Sequence, residues 1–403
     1  MSTNKAHKHF RIANKSPEEI KDYFKDLAPR DLCLEEFKHH LKALNQNVRR
    51  GQDLSICLKM IANTFKKTRN LSKKSQFKDF LDGNIHLWID AAEKSGLENF
   101  PSQSLATMMW SLATINVWPG RDFIFKWGMA AGQYLHSNYS DCFNAIDIAQ
   151  ITHALCLFDA QYDHIDMADT IDYMLELMED MDDLDHKQLH VYEDACHWVG
   201  RPVTMDIPPR GHRMSHSEGI LADWFKKAGA DLELGKYIPC DDVGHIVDIP
   251  MIWDGKAILA EYDGPTHFNR HPHHSTAPKL AKYDASTAFQ TRLLRTLHPD
   301  MHVLRIRYTE FDRLENMKPE HIRLHLRSIL NDLVAQPPGC YVSEIRGTRL
   351  KARPMTTTPK RVIVNSASSS HTTDTGHAPT PTSQDPQSDN VTPHNPLADL
   401  VPA

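Results

Sequence analysis

The sequence predicts two folded parts in series: an α-helical repeat array of the α-solenoid kind, then an α/β domain, with a disordered C-terminal tail behind them. Three observations predict this order. Apolar residues keep helical spacing from about residue 17 to 200, a proline-rich break runs from Pro202 to Pro209, and short strand-like runs begin beyond it. The expected divisions are a flexible basic N-terminus (1–16), the helical repeats (17–200), a linker (201–211), the α/β domain (212–335) and the tail (350–403).

The helical reading starts from Leu105, Met108, Met109 and Leu112, which occupy positions i, i+3, i+4 and i+7 of one helix face. Further helices are expected over Phe123–Leu135, Ile146–Leu157 and Ile165–Met178. Two patterns recur about 40 residues apart, as repeats of helix pairs do. Leu105-Ala106, followed by Trp110-Ser111-Leu112, returns as Ile148-Ala149 with His153-Ala154-Leu155; Trp88 with Ala91-Ala92 returns as Trp127 with Ala130-Ala131. The alternative is an irregular helical bundle with chance similarity. The acidic run Glu179-Asp180-Met181-Asp182-Asp183 reads as a solvated helix face.

Beyond the proline break the period changes. A helix over Glu218–Ala228 precedes strands at Leu232–Ile238, Ile246–Trp253 and Ala257–Tyr262, with Asp254-Gly255 as a hairpin turn between the last two. A loop rich in His and Pro leads to a helix over Ala285–Leu297, a strand over Val303–Tyr308 and a last helix from Pro319 to about Leu333. Within this order three acids stand out. Glu261 and Asp263 share one strand face, because side chains alternate with period two, and Asp248 sits on the neighbouring strand. Carboxylates at the ends of apolar strands are solvated, paired or holding a cation.

The segment Ser215 to Leu314 resembles a RAP domain. The resemblance is carried by Val247-Asp248-Ile249, by Glu261-Tyr262-Asp263-Gly264-Pro265-Thr266-His267-Phe268, by Ser286-Thr287 with Arg292 and Leu294, and by Val303-Leu304-Arg305-Ile306 with Tyr308, Glu310 and Phe311. It covers about a quarter of the chain. The resemblance implies an RNA-binding module with a restriction-endonuclease-like, PD-(D/E)XK core, placed behind octotricopeptide or FAST-kinase-like helical repeats. The Leu105–Ala113 segment looks like such a repeat. In the nucleases of that fold, acids on adjacent strands hold a catalytic metal. The chain departs from the pattern at Asp263, where those nucleases carry a lysine, and at Gln290-Thr291, where the family tends to carry a basic pair.

The expected function is therefore that of an RNA-binding protein whose repeats read single-stranded RNA and whose α/β domain clamps or processes it. The alternative is a metal-dependent endonuclease with Asp248, Glu261, Asp263 and His267 as catalytic residues, and Asp248 and Glu261 as ligands for Mg²⁺ or Mn²⁺. Glu218 is a further candidate acid, and Lys256, Lys279 or Lys282 are candidate replacements for the lysine. A third reading is a scaffold that binds a protein partner along the array. Candidate nucleic-acid contacts are Arg292, Arg295, Arg305 and Arg307 in the α/β domain, and Lys66 and Lys67 in the array. Over residues 1–80 basic residues outnumber acidic ones two to one, although the net charge is −6. His267, His271, His273 and His274 invite a zinc reading, but no cysteine pair completes a set. Seven scattered cysteines without a CxxC pair suggest reduced thiols and an intracellular setting. The bacterial cytoplasm, delivery into a host cell, a mitochondrion and a plastid are all compatible with the N-terminus. No apolar run reaches the length of a membrane span.

Overall fold

The computed structural model describes residues 51–354 except 69, 136–141, 163–164, 211–213, 236–246, 270–282 and 347–348. The expected N-terminal segment 1–16, most of the expected tail, Lys279, Lys282, His271, His273 and His274 lie outside the described residues.

Among the described residues seven α-helices come first: α1 (Gly51–Lys67), α2 (Leu71–Lys94), α3 (Ser102–Thr114), α4 (Arg121–Leu135), α5 (Ala145–Gln161), α6 (Ala168–Glu179) and α7 (His186–Val199). Local sequence sets their ends. Asn144 caps α5 and Asp185 caps α7, each in a reciprocal capping box that satisfies otherwise orphaned backbone donors. Gly200 closes α7 in the left-handed region at φ 77°, where a β-carbon is strained.

The odd-numbered helices pack in series, α1 on α3, α3 on α5 and α5 on α7, while α2, α4 and α6 lie against α1, α3 and α5. The two recurring tryptophans play matching parts. Trp88 and Trp127 are fully buried; Trp88 donates its indole N–H to the Leu54 carbonyl of α1 at 3.1 Å, and Trp127 donates to the Leu105 carbonyl of α3 at 3.1 Å. Helices α2 and α4 are thus each tied back to the odd helix before them. Burial of one such large apolar side chain contributes roughly 1.5–3 kcal/mol.

The acidic end of α6 is not simply a solvated face. Glu179 accepts hydrogen bonds from Tyr192, Thr204 and Arg201, anchoring the start of the linker on the array.

The second part is a mixed sheet flanked by helices: α8 (His216–Ala228), β1 (Ile249–Trp253), β2 (Lys256–Asp263), α9 (Ala285–Leu297), β3 (His302–Arg307), α10 (Tyr308–Glu315), α11 (Pro319–Val334), β4 (Gly339–Arg346) and β5 (Arg349–Pro354). Strand order is β1-β2-β3-β4-β5, with β2, β3 and β4 mutually parallel and both outer pairs antiparallel. Asp254 and Gly255 make the β1–β2 hairpin turn, both with positive φ, as the sequence predicts.

Three expectations are corrected. Leu232–Gly235 is a helical turn rather than a strand, because Asp231 caps it by accepting the Leu234 N–H at 2.9 Å. Gly235 is required there, since a β-carbon would lie 2.2 Å from the Pro250 carbonyl oxygen. Residues 308–315 leave the sheet as α10, burying Phe311 and Leu314 against the core. The sheet does not end near residue 335: β4 and β5 extend it to Pro354, into the start of the expected tail.

The faces of β2 alternate as its sequence requires. Ile258 and Ala260 join α8 and α11 in one core, and Leu259 joins Val303, Val342 and Leu294 of α9 in another. Helix α9 is shared between the two parts of the molecule. Its Ala285, Phe289 and Leu293 are buried in the core of the array, with Phe289 against Trp198 at 5.2 Å between ring centroids.

A carboxylate-lined cleft as the candidate active site

Asp248 and the end of β2 meet the linker, α8 and α9 in one cleft of about 420 Å³. Its walls are Arg210 from the linker, Ser215 at the N-cap of α8 and Glu218 within it, Asp248 just before β1, Glu261 and Tyr262 from β2, Gly264, Thr266 and His267 from the corner after β2, and Gln290 from α9. Of the four predicted catalytic residues, Asp248, Glu261 and His267 line this cleft and Asp263 does not.

Asp263 is fully buried and committed elsewhere. It accepts from Arg305 Nε at 3.0 and 3.1 Å, from the same guanidinium through Nη2, and from the Tyr283 hydroxyl at 3.0 Å. Its expected role as metal ligand or base is therefore corrected: its lone pairs are taken up by a structural ion pair. Burial works against the charge on Arg305, and the Asp263 carboxylate outweighs it, holding the guanidinium well above its usual pKa. Arg305 Nη1 also donates to Thr291 Oγ1 at 3.0 Å. A basic side chain there would meet a buried guanidinium, whereas a hydroxyl accepts from it.

Glu261 is the opposite case. It is 7% exposed, and its Oε1 has no hydrogen-bond partner. Burial first, then the Asp248 charge, pushes its pKa up to about 8. Asp248 accepts the Tyr262 N–H at 2.8 Å, and burial and the Glu218 carboxylate push its pKa up to about 6. Glu218 completes the capping box of α8, accepting the Ser215 N–H at 2.7 Å. His267 stands on the cleft wall, its Nδ1 3.3 Å from Thr287 Oγ1 and 3.7 Å from Asp263 Oδ1.

The predicted arginine contacts are corrected as well. Arg292 and Arg305 are buried, at 4% and 1% exposure. Arg295 donates to the carbonyls of His298, Pro299 and Met301, closing the loop after α9. Arg307 pairs with Glu310 at 3.0 Å and donates to the Ser343 carbonyl. Packing, which charge counting cannot see, buries Arg292 and Arg305 and leaves Arg295 and Arg307 half-buried on contacts within the domain. Lys66 and Lys67 are exposed at the end of α1. Lys256 is at the far end of β2, its ammonium bonded to the Val334 carbonyl, so it does not replace the lysine.

Two contributors were not foreseen. Arg210 reaches the cleft while paired to Asp194 at 2.7 Å and Glu193 at 3.0 Å on α7. Lys74 of α2 is only 2% exposed, and its ammonium donates to the Thr266 carbonyl at 2.9 Å. Its local signal was a Lys-Lys pair, indistinguishable in sequence from a solvated charge run.

Among the described residues no group of three or more His, Cys, Asp or Glu side chains is placed to hold a metal ion. A cation at this cleft would have Asp248 and Glu261 as its protein ligands. That set suits Mg²⁺, which is commonly held by one or two carboxylates and otherwise by water and substrate phosphate. The orphaned Glu261 oxygen fits that role. No helix among the described residues is long and apolar enough to cross a membrane. Comparison with protein-family models, with curated proteins and with solved structures gives no match.

Proposed function

We propose that this is an RNA-processing protein: a helical array that holds single-stranded RNA, and a RAP-like domain of restriction-endonuclease type that cuts it with Mg²⁺ or Mn²⁺. The observation that carries this reading is the cleft in which Glu261 keeps a buried, unpartnered oxygen beside Asp248 and Glu218. An acidic cleft repels a phosphodiester, so RNA docks there only through a bridging cation. That favours cleavage over passive clamping, for which cationic side chains at the cleft would serve better. The serial packing of odd helices and the matching tryptophans support the repeat reading of the array.

Asp248 and Glu261 would hold the cation, which when bound neutralises phosphate charge and lowers the pKa of water. The protein's own groups do the rest. Arg210 lines the cleft with its charge matched by Glu193 and Asp194, and His267 is placed to move a proton at the rim. The test is incubation of labelled single-stranded RNA with Mg²⁺ or Mn²⁺, wild type against Glu261→Ala. Metal-dependent cleavage lost in the variant supports the reading. Binding without cleavage by the wild type reduces it to a clamp, and absence of RNA affinity at low salt removes it.

A further inference from the structure

We propose that the array delivers the substrate to the cleft along a lysine ledge formed by Lys66, Lys67 and Lys73, and that the ledge is the binding surface for single-stranded RNA. This rests on the reading of the cleft as an RNA-cutting site. The three side chains are exposed and flank the joint between α1 and α2. Their position relative to the cleft is fixed by the next residue. Lys74 is buried, crosses to the second part of the molecule and donates to the carbonyl of Thr266, a residue of the cleft wall adjacent to His267. The ledge and the cleft rim are therefore neighbours, although 192 residues separate the bonded pair.

Two further observations place the ledge there. The charge of Lys66 is felt at both Lys74 and His153 of α5. Lys74 also stands over the Phe65 ring at 5.0 Å, which makes the end of α1 and the corner one packed unit. Burial lowers the pKa of Lys74, a cost that a surface-only function would not require. A helix end alone accounts for Lys66 and Lys67, whose charges complement the C-terminal dipole of α1. Lys73 adds a third positive charge beside them, in the first turn of α2.

The chemistry fits a phosphate backbone. The cleft is acidic and the ledge beside it basic, so a strand is held by the lysines on one side while the scissile phosphate sits at Glu261. Single-stranded nucleic acid fits this path because it can bend over the corner between them.

The test uses the full chain with a fluorescent oligouridylate, titrated over a range of NaCl concentrations without divalent metal. Lys66→Glu/Lys67→Glu/Lys73→Glu is expected to weaken binding at least tenfold at low salt. The milder Lys66→Gln/Lys67→Gln/Lys73→Gln is expected to reduce the slope of log affinity against log salt by about 2, since each single-strand phosphate contact contributes about 0.7. Far-ultraviolet circular dichroism checks that both remain folded, and the Gln variant decides the matter if the Glu variant does not fold. Unchanged affinity and slope in the Gln variant would overturn the ledge, while loss of cleavage in Glu261→Gln would still support the cutting site. Conversely, a reduced slope with no cleavage by the wild type supports the ledge and removes the cutting site. A wild type that fails to bind the oligonucleotide at low salt overturns both.

Discussion

Asp263 and Glu261 stand on one face of one strand, two positions apart, and the fold treats them in opposite ways. Asp263 lies in a closed pocket and is matched by Arg305 and Tyr283. Glu261 lies at the wall of an open cleft with one oxygen unpartnered and a pKa near 8. The first environment stabilises the sheet; the second disfavours ionisation and keeps the carboxyl protonated up to about pH 8. A buried carboxyl with one oxygen left without a partner is a feature that folding alone does not reward, and on that contrast the proposed site rests on Glu261 rather than Asp263.

The largest expected effect breaks the structural half of this contrast. Arg305→Met leaves Asp263 buried without its cation and should cost about 3–5 kcal/mol of stability in chemical denaturation. The double variant with Asp263→Asn should recover part of that loss. Equal losses in the single and double variants would mean that the ion pair is not the source.

Glu261→Gln should act in the other direction, raising stability by roughly 1–2 kcal/mol at pH 8 while abolishing metal-dependent activity. The sign follows from the pKa. The folded carboxyl, at about 8, holds a proton that the unfolded one, near 4.5, has released. Stability is therefore lost as pH rises from about 4.5 to 8, with Asp248 adding to the fall between about 3.8 and 6. Denaturation curves collected across that range should flatten in Glu261→Gln, and an unchanged slope would show that Glu261 carries no stored charge.

Lys74→Met keeps the volume but strands the Thr266 carbonyl, and a loss of roughly 1–2 kcal/mol is expected, read as a lower melting temperature. The smallest effect belongs to Glu218→Gln. Its capping box with Ser215 survives the change, so stability should move by less than about 0.5 kcal/mol.

How much of this was legible in the sequence depended on whether the signal was local. The Asp254-Gly255 turn, the period of β2 and the span of α9 could all be read, because turn chemistry and alternation act over a few residues. The clustering of Asp248 and Glu261 followed from strand adjacency. The fate of Asp263 did not, because its partner Arg305 is set by a parallel register across a helical crossover. The four arginines misled for the same reason. Their charge is visible in the sequence, whereas the burial of Arg292 and Arg305 and the short-range contacts of Arg295 and Arg307 are not. Lys74 is the converse: in sequence it is one half of a Lys-Lys pair, and in the fold it joins the two parts of the molecule.

The most direct measurement is cleavage of labelled single-stranded RNA in Mg²⁺ or Mn²⁺ by wild type and by Glu261→Gln, with both shown to be folded. Metal-dependent cleavage by the wild type and none by the variant is the predicted result. Cleavage that persists in Glu261→Gln would contradict the assignment of the cleft as the active site.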